Sequence, residues 1–335
     1  MTETIDYRRS SRRRLRLSRR QIPVLATAIA LIVGYVIAGF FYRAFFTVPV
    51  AINLLQDNAT LGVIAVGMTF VILSGGIDLS VGAAVAATSI ALARLIENNH
   101  WNPAAAMALA LLAGTLLGAF MGSLIHFFAL PAFLVTLGGL FFYHGVALLI
   151  GTQIEITHPW YVWLSGATLP IGIGDGLPLT AAVFLIVLAV AVFVSLLTPF
   201  GRNVYAIGGN EQSALLMGLP VARAKVSVYA LSGFCSALGG VISTVYSMSG
   251  DATRGAGAEL DAIAAVVVGG TLLSGGVGYV AGTLLGLIIF GLIQDVINFQ
   301  GNLNTAWTHI AAGALLLAFI LLQKLLQLGQ RAETG

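Results

Sequence analysis

The stretch FVILSGGIDLSVG, residues 70–82, places one carboxylate, Asp78, in a run that is otherwise apolar or small. Ser-Gly-Gly at 74–76 is unfavourable in a helix, because each glycine costs about 1 kcal/mol relative to alanine. Asp78 and Ser80 then precede a new apolar run, a pattern typical of a helix start. The stretch therefore predicts a helix that ends, a short polar break, and a second helix.

The composition of the chain places this break in a lipid bilayer. Of the 335 residues, 58% are hydrophobic and 9% charged, against roughly 25% charged in soluble domains. Since a helix of roughly 20 apolar residues crosses a bilayer, we predict an all-α polytopic membrane protein with about ten transmembrane helices and no soluble catalytic domain. The predicted spans are residues 22–42, 53–73, 79–96, 104–128, 132–150, 178–197, 224–246, 260–273, 279–297 and 304–326.

The positions of the basic residues predict the orientation, because short loops rich in Lys and Arg stay in the cytoplasm. With ten spans, thirteen of the sixteen Lys and Arg residues fall on the side of the N-terminus. Both termini are therefore predicted to be cytoplasmic. The domain prediction is a basic tail over 1–21, a permease domain over 22–326 that includes a cytoplasmic loop over 198–226, and a second tail over 327–335. Eight arginines lie in the first tail: Arg8, Arg9, Arg12, Arg13, Arg14, Arg16, Arg19 and Arg20.

The basic tail is open to other interpretations, since such runs can bind nucleic acid or form transit peptides. The first apolar segment is long and has no small-residue cleavage site, so it is predicted to be an anchor. We therefore expect a disordered tail that is attracted to anionic membrane lipid and no nucleic-acid partner.

Two segments of the chain form a weak internal repeat. VGMTFVILSGG at 66–76 resembles VGGTLLSGG at 268–276, and each follows acidic and small residues, DNA at 57–59 and ELDA at 259–262. Many transporter folds carry such repeats. Both spans are predicted to break at Ser-Gly-Gly, and the freed backbone groups must then face protein or a water-filled cavity.

Asp78 has two compatible interpretations. A carboxylate at a helix N-terminus is stabilised by free N–H groups and the helix dipole, so Asp78 is predicted to cap the second helix. It could also border a polar passage through the membrane, together with other polar residues of the two repeat segments. The candidate passage residues are Asn58, Thr69, Ser74, Asp78, Ser80, Asp261 and Thr271.

Motifs for catalysis, metal binding and ATP binding are missing from the sequence. It contains no H-E-x-x-H or G-x-S-x-G, and its five histidines lack metal-ligand spacing. Neither of its two lysines follows a glycine, so the chain has no P-loop. We expect no enzyme activity, metal or cofactor.

The loop at 198–226 contains a predicted short helix. Gly208 and Gly209 are predicted to form a flexible turn, Asn210 to cap the helix EQSALLMG, and Gly218 to end it. Such a helix could lie in the membrane interface or dock in a groove of a cytoplasmic partner. The residues alone do not separate these alternatives.

Three stretches together resemble the permease subunits of bacterial sugar ABC importers of the ribose, xylose, arabinose and galactose type. They are GMTFVILSGGIDLSVG at 67–82, GGNEQSALLMGL at 208–219 and ELDAIAAVVVGGTLLSGGVG at 259–278. The sequences THPW at 157–160 and YAIGGN at 205–210 look closest to one permease of a galactofuranose-type importer.

The resemblance implies a pore of two permease chains, here expected to be a heterodimer in the bacterial inner membrane. It further implies a periplasmic sugar-binding protein that delivers the sugar and a cytoplasmic ATPase that drives alternating access. The loop helix would then be the coupling helix that docks in the ATPase. The residues that match this segment are Gly209, Asn210, Glu211, Ala214, Leu215 and Gly218.

Two other classes of membrane protein compete with this interpretation. In an ion-coupled secondary transporter, Asp78 or Asp261 would bind a proton or an ion. Such a carrier needs no cytoplasmic docking helix, and the sequence offers these acids no basic partner within the membrane. A structural scaffold would leave the broken polar segments unexplained.

Overall fold

A computed structural model describes residues 22–42, 46–170, 172, 176–300 and 306–332. The predicted tail at 1–21 lies outside these residues. The described chain is predominantly α-helical, which confirms the all-α fold class. The helices are α1 Ile22–Phe41, α2 Val48–Asp57, α3 Ala59–Leu73, α4 Val81–Ala93 with a π-helical end at Arg94–Asn98, α5 Pro103–Phe127, α6 Ala132–Ile150, α7 Pro159–Gly166, α8 Leu179–Leu197, α9 Pro199–Gly209, α10 Glu211–Leu216, α11 Val221–Ser247, α12 Ala258–Val268, α13 Val280–Gln300 and α14 Ala306–Ala332.

Six helices of the described chain are long and apolar enough to cross a membrane, and α2 with α3 forms a seventh if this bent pair counts as one span. Thr27–Phe41 and Ala306–Leu321 are shorter apolar helices. The count of ten spans therefore stays a prediction. Most predicted spans agree with helices to within a few residues, and two are wrong in detail.

The predicted span at 53–73 is not one straight helix. α2 and α3 meet at Asn58 with a bend of 57°. The Asn58 side-chain amide donates a hydrogen bond to the carbonyl of Leu54 (2.9 Å), and the Gly62 N–H donates to the carbonyl of Asn58 (2.8 Å). Asn58 also packs closely against Gly291 of α13. A Cβ at residue 291 would have no room beside the Asn58 side chain. Asn58 therefore stabilises a bend, which hydropathy alone does not reveal.

The core is formed by helices that are buried on nearly all sides. α3 and α4 consist almost entirely of buried residues, and α11 packs against both and against α5. Helices that are apolar all round are typical of the interior of a membrane bundle. Glycines make the contact of α5 with α11 close: Gly118 faces the backbone of Tyr229, and Gly114 faces that of Gly233. Small residues of this kind let the backbones of membrane helices approach each other closely.

Two short antiparallel ribbons complete the described fold. β1 (Gln153–Glu155) pairs with β4 (Ser249–Asp251), with Gln153 opposite Asp251, and β2 (Thr168–Leu169) pairs with β3 (Leu177–Pro178). β4 packs on α4, where the Ser89 hydroxyl donates a hydrogen bond of 3.1 Å to the carbonyl of Asp251. The first ribbon thus fixes the C-terminal end of α11 beside α4.

Candidate functional site at the two helix breaks

The first break begins where the sequence predicts it. α3 ends at Leu73, and Gly75 adopts a φ of +83°. The Gly75 N–H donates to the carbonyl of Ile72 (2.9 Å), and the Gly76 N–H donates to that of Val71 (3.0 Å). These two bonds form a Schellman motif, which satisfies carbonyls that the end of a helix leaves free. Ser-Gly-Gly therefore ends the helix without leaving these groups unpaired in the membrane.

The second break begins earlier than predicted. α12 ends at Val268, and Gly270 has a φ of +94°. The Gly270 and Thr271 N–H groups donate to the carbonyls of Val267 (3.0 Å) and Val266 (3.2 Å). The predicted span at 260–273 and its break at Ser-Gly-Gly are therefore wrong. The reason is the second glycine of Val-Gly-Gly, which supplies a left-handed residue where the first repeat has Met68 and continues as a helix.

The two breaks meet each other and the end of α9. The Gly276 N–H donates a hydrogen bond of 2.9 Å to the carbonyl of Leu73. Gly208 lies against both groups so closely that a Cβ would have no room, and Gly275 lies similarly against the backbone of Gly75. We call Gly75, Gly208, Gly275 and Gly276 the glycine junction. The junction brings both repeat segments into direct contact with the loop at 198–226.

The predicted flexible turn at Gly208 and Gly209 is wrong, because both residues belong to α9. The contacts of the junction hold this end of the helix. One turn earlier, the Tyr205 hydroxyl donates a hydrogen bond of 3.0 Å to the carbonyl of Gly278 in the second break. α9 is thus attached to the second break at two points.

Asp78 lies in the first break and is 1% exposed. Its Oδ1 accepts hydrogen bonds from the Ser80 N–H (2.9 Å) and hydroxyl (2.6 Å), and its Oδ2 accepts one from the Ser232 hydroxyl (2.7 Å). The N-cap of α4 is Ser80, so the prediction that Asp78 itself caps α4 is wrong. Asp78 instead closes a turn just before the helix and connects this turn to α11.

The other candidate passage residues are spread over the bundle. Ser74 donates to the carbonyl of Val71 (2.8 Å). Thr69 shares a hydrogen bond of 2.7 Å with Thr283 of α13. Asp261 lies in the first turn of α12 and is partly buried. Asn58 forms the bend described above, while Thr271 is buried beside Gly278. Asp78 and Ser80 are therefore in direct contact, Ser74 lies at the start of the same break, and the other four residues lie elsewhere in the bundle.

The short helix of the loop forms as predicted. The Asn210 side chain accepts a hydrogen bond of 2.7 Å from the Ser213 N–H, which confirms the N-cap. At the other end, Gly218 has a φ of +76°. The N–H groups of Gly218 and Leu219 donate to the carbonyls of Leu215 (3.0 Å) and Ala214 (3.1 Å). α10 is therefore closed by a cap and by a Schellman motif.

One side of α10 is buried and its tip is exposed. Ala214 is 0% exposed and packs in a small cluster that includes Ile207 of α9 and Val221 of α11. Leu216 is 88% exposed, and its neighbours Leu215 and Met217 are also exposed. The tip is therefore an exposed apolar surface, and the packing of Ala214 fixes its position on the bundle. Such a surface suits a lipid interface or a partner protein.

A cavity of about 380 Å³ lies between the first break, the turn from α5 to α6, and α10. At its edge the Lys225 ammonium and the Glu211 carboxylate form an ion pair at 2.6 Å, which connects α10 to α11. The cavity is lined by Ser74, Gly75, Gly76, Ile125, His126, Ala129, Leu130, Ala132, Glu211, Lys225 and Tyr229.

Several residues at this site have no sequence motif that would identify them. Ser232 and Tyr229 lie within the long apolar helix α11, where single polar residues carry no periodic signal. Lys225 belongs to no motif, although its ammonium group pairs with Glu211. Gly208 was predicted as a turn, and only the fold shows that it is a contact of the two breaks. The two consecutive glycines of YAIGGN are the feature of the sequence that could have indicated this close contact.

The THPW sequence is fixed by a carboxylate of the preceding π-helix. Glu97 accepts hydrogen bonds from the Thr157 N–H (2.7 Å) and hydroxyl (2.9 Å), and from the His158 N–H (2.9 Å). His158 in turn caps α7. The described residues contain no cluster of three or more His, Cys, Asp or Glu side chains that could hold a metal ion.

The fold and this site define a class of protein: an all-α integral membrane protein in which two helix breaks meet each other and the end of α9. Residues 50–320 match the family described as the permease component of the branched-chain amino acid transport system, and the chain belongs to this family. Membership confirms that the chain is a transport component and not an enzyme. No solved structure matches the chain.

Curated relatives support the same assignment over nearly the whole chain. The inner membrane ABC transporter permease protein YjfF of Escherichia coli is 47% identical over 91% of this chain and 93% of its own length. The ribose import permease protein of Haemophilus influenzae is 39% identical over 88% of this chain and 90% of its own. The fructose import permease protein of Bifidobacterium longum is 35% identical over 96% of both chains.

Proposed function

We propose that this chain is the permease subunit of an ATP-driven importer of a monosaccharide and forms half of its translocation pathway. Membership of the permease family and the ribose and fructose import permeases among the relatives support this proposal. Galactofuranose, ribose and fructose are the sugars to test first.

The observation that carries the proposal is the direct contact between α9 and both helix breaks. Gly208, three residues before the start of α10, touches Leu73 at the first break and Gly276 in the second. A displacement of α10 that is passed along the chain to α9 would therefore move both breaks or open the glycine junction. Packed interfaces of this kind change between discrete arrangements and do not deform continuously. Such a contact suits alternating access that is driven from the loop.

Three partners belong to this proposal. The apolar tip of α10, with Leu215 and Leu216 exposed, is proposed to dock in a groove of a cytoplasmic ATPase, which hydrolyses the ATP. We further propose a second, different permease as the other half of the pore and a periplasmic binding protein that delivers the sugar. Both termini would be cytoplasmic, in the bacterial inner membrane.

Within this mechanism the coupling residues have separate tasks. Asn210 and Gly218 fix the two ends of α10, Glu211 holds it to Lys225, and Ala214 seats it on the bundle. Leu215 would contact the ATPase, and Gly209 continues α9 into the cap. The seven passage residues remain candidates for lining the pathway, with Ser74, Asp78 and Ser80 the central group.

Reconstituted uptake tests the proposal. Proteoliposomes with this chain, the second permease and the ATPase should accumulate labelled sugar only when both ATP and the binding protein are supplied. The ion-coupled alternative predicts uptake that follows a proton or sodium gradient and does not need ATP. Accumulation without ATP would therefore contradict the importer assignment.

A further inference from the structure

The phenol group of Tyr229 lies in an unusual environment. Tyr229 is 2% exposed, and its hydroxyl has no hydrogen-bond partner among the described residues. The side chain lines the cavity of about 380 Å³ beside the first break, and its hydroxyl lies against Gly76. A buried hydroxyl without a partner is unfavourable. A polar molecule in the cavity could supply the hydrogen bond that this hydroxyl lacks.

The other lining groups indicate what such a ligand would be. The charged side chains of Lys225 and Glu211 already pair at 2.6 Å, so they leave no net charge for an ion to neutralise. Ser74 and Tyr229 offer hydroxyls, and His126 offers a ring that can donate or accept. The volume is near the lower end of the range of about 300–1,000 Å³ found for ligand sites. The cavity therefore suits a small, neutral molecule with many hydroxyl groups.

We propose that this cavity binds a monosaccharide from the side of the membrane where α10 lies, with the Tyr229 hydroxyl as one of its hydrogen-bonding groups. This inference rests on the proposed function, because it assigns a site to the released sugar. The bound sugar would contact the break through Ser74 and the loop through Glu211. It would therefore stabilise the arrangement in which α10 is seated against the bundle.

Protection of a cysteine from labelling tests the site. Ala129 is exposed on the cavity wall, and the only cysteine of the chain, Cys235, is buried. Purified Ala129→Cys protein is labelled with N-ethylmaleimide in the presence of D-ribose, D-fructose or D-galactose, and separately in NaCl of equal osmolality. We expect at least one sugar to slow labelling several-fold.

Tyr229→Phe in the Ala129→Cys background removes a single hydroxyl that has no protein partner, so the fold should be retained. The sugar concentration that gives half-protection should rise roughly five- to tenfold, as expected for one lost hydrogen bond. Tyr143→Phe is the matched control. Its hydroxyl is also buried and lacks a partner among the described residues, but it lines a different, apolar cavity of about 450 Å³ between α5 and α6.

The inference is overturned if none of the three sugars slows labelling, or if Tyr229→Phe is protected as well as the parent. These results are independent of transport, because labelling needs neither ATP nor a partner. An importer that accumulates sugar but shows no protection would retain the proposed function and lose this site. A chain whose labelling is slowed by sugar but which imports no sugar would retain this site and lose the proposed function.

Discussion

The amide of Gly276 and the carbonyl of Leu73 share a hydrogen bond of 2.9 Å, which joins the loop after α12 to the last residue of α3. The bond connects the end of α3 to the Ser-Gly-Gly of the second repeat segment, whose Gly276 lies eight residues beyond the end of α12. Gly208 of α9 covers it without room for a Cβ. The contact between these three stretches, which are distant in sequence, therefore requires that residue 208 has no Cβ.

Gly208→Ala should be the most damaging small substitution in this region. The added methyl must displace the Leu73 carbonyl or the Gly276 amide, and overpacking of this kind typically costs about 1–3 kcal/mol. We expect a lower melting temperature in detergent and reduced sugar uptake. Gly209→Ala is the control, since nothing lies within 4 Å of its added Cβ. Equal behaviour of the two variants would contradict the proposed contact.

The apolar tip of α10 should be needed for ATPase binding and dispensable for folding. Leu216 is 88% exposed, so Leu216→Asp removes no core contact. We expect normal membrane abundance but loss of the ATPase during co-purification, together with loss of uptake. Gln212→Asp adds the same charge to the same helix without removing apolar surface, and it should retain most of both. Retention of the ATPase by Leu216→Asp would mean that α10 is an interfacial helix.

The C-terminal end of α10 should tolerate asparagine better than valine at residue 218. Gly218 has a φ of +76°, a conformation that costs an ordinary side chain about 1–2 kcal/mol and that asparagine adopts more readily. Gly218→Val should weaken ATPase binding strongly, and Gly218→Asn should weaken it less. Co-purification of the ATPase measures both. The reverse order would show that the backbone of this turn is unimportant.

Asp78→Asn should retain part of the transport activity. An asparagine oxygen can still accept the bonds from Ser80, and its amide can donate to the Ser232 hydroxyl. Asp78→Ala leaves these buried groups without a partner, which costs about 1–3 kcal/mol each. We expect reduced uptake from the first variant and low abundance of the second. Complete loss of uptake by Asp78→Asn, at normal abundance and normal ATPase activity, would favour an obligatory charge and the ion-coupled alternative.

The proposed orientation is tested with introduced cysteines in intact cells. Ser11→Cys and Thr334→Cys should resist a membrane-impermeant thiol reagent, whereas Ser165→Cys in α7 should react. The buried Cys235 provides a low background. Labelling of Ser11→Cys from outside the cell would contradict the prediction that both termini are cytoplasmic.

The sequence predicted well those features that depend on local chemistry. Ser-Gly-Gly at 74–76 ends α3, Asn210 caps α10, and Gly218 ends it, because each motif supplies the backbone angle or the acceptor that its position needs. The second break was misplaced because two glycine pairs compete in VGGTLLSGG. In the structure Gly270, of the first pair, adopts the left-handed conformation that ends α12.

Contacts between distant segments were beyond sequence reasoning. The bend at Asn58 depends on a helix-backbone hydrogen bond and on Gly291 of α13. Asp78 resembled a helix cap, and only the position of Ser232 on α11 shows that it also connects two helices. A single sequence does not show which polar residues of two apolar helices face each other.

The ribbon of β1 and β4 has a consequence for the biosynthesis of the protein. Gln153 pairs with Asp251, and α8, α9, α10 and α11 all lie between these residues in the chain. A nascent chain therefore completes β1 long before its partner strand leaves the ribosome. The Ile156 N–H donates a hydrogen bond of 2.8 Å to the carbonyl of Met248. This bond likewise cannot form until Met248 has been synthesised. The loop before α7 thus acquires its final backbone pairing only after α11 has been inserted.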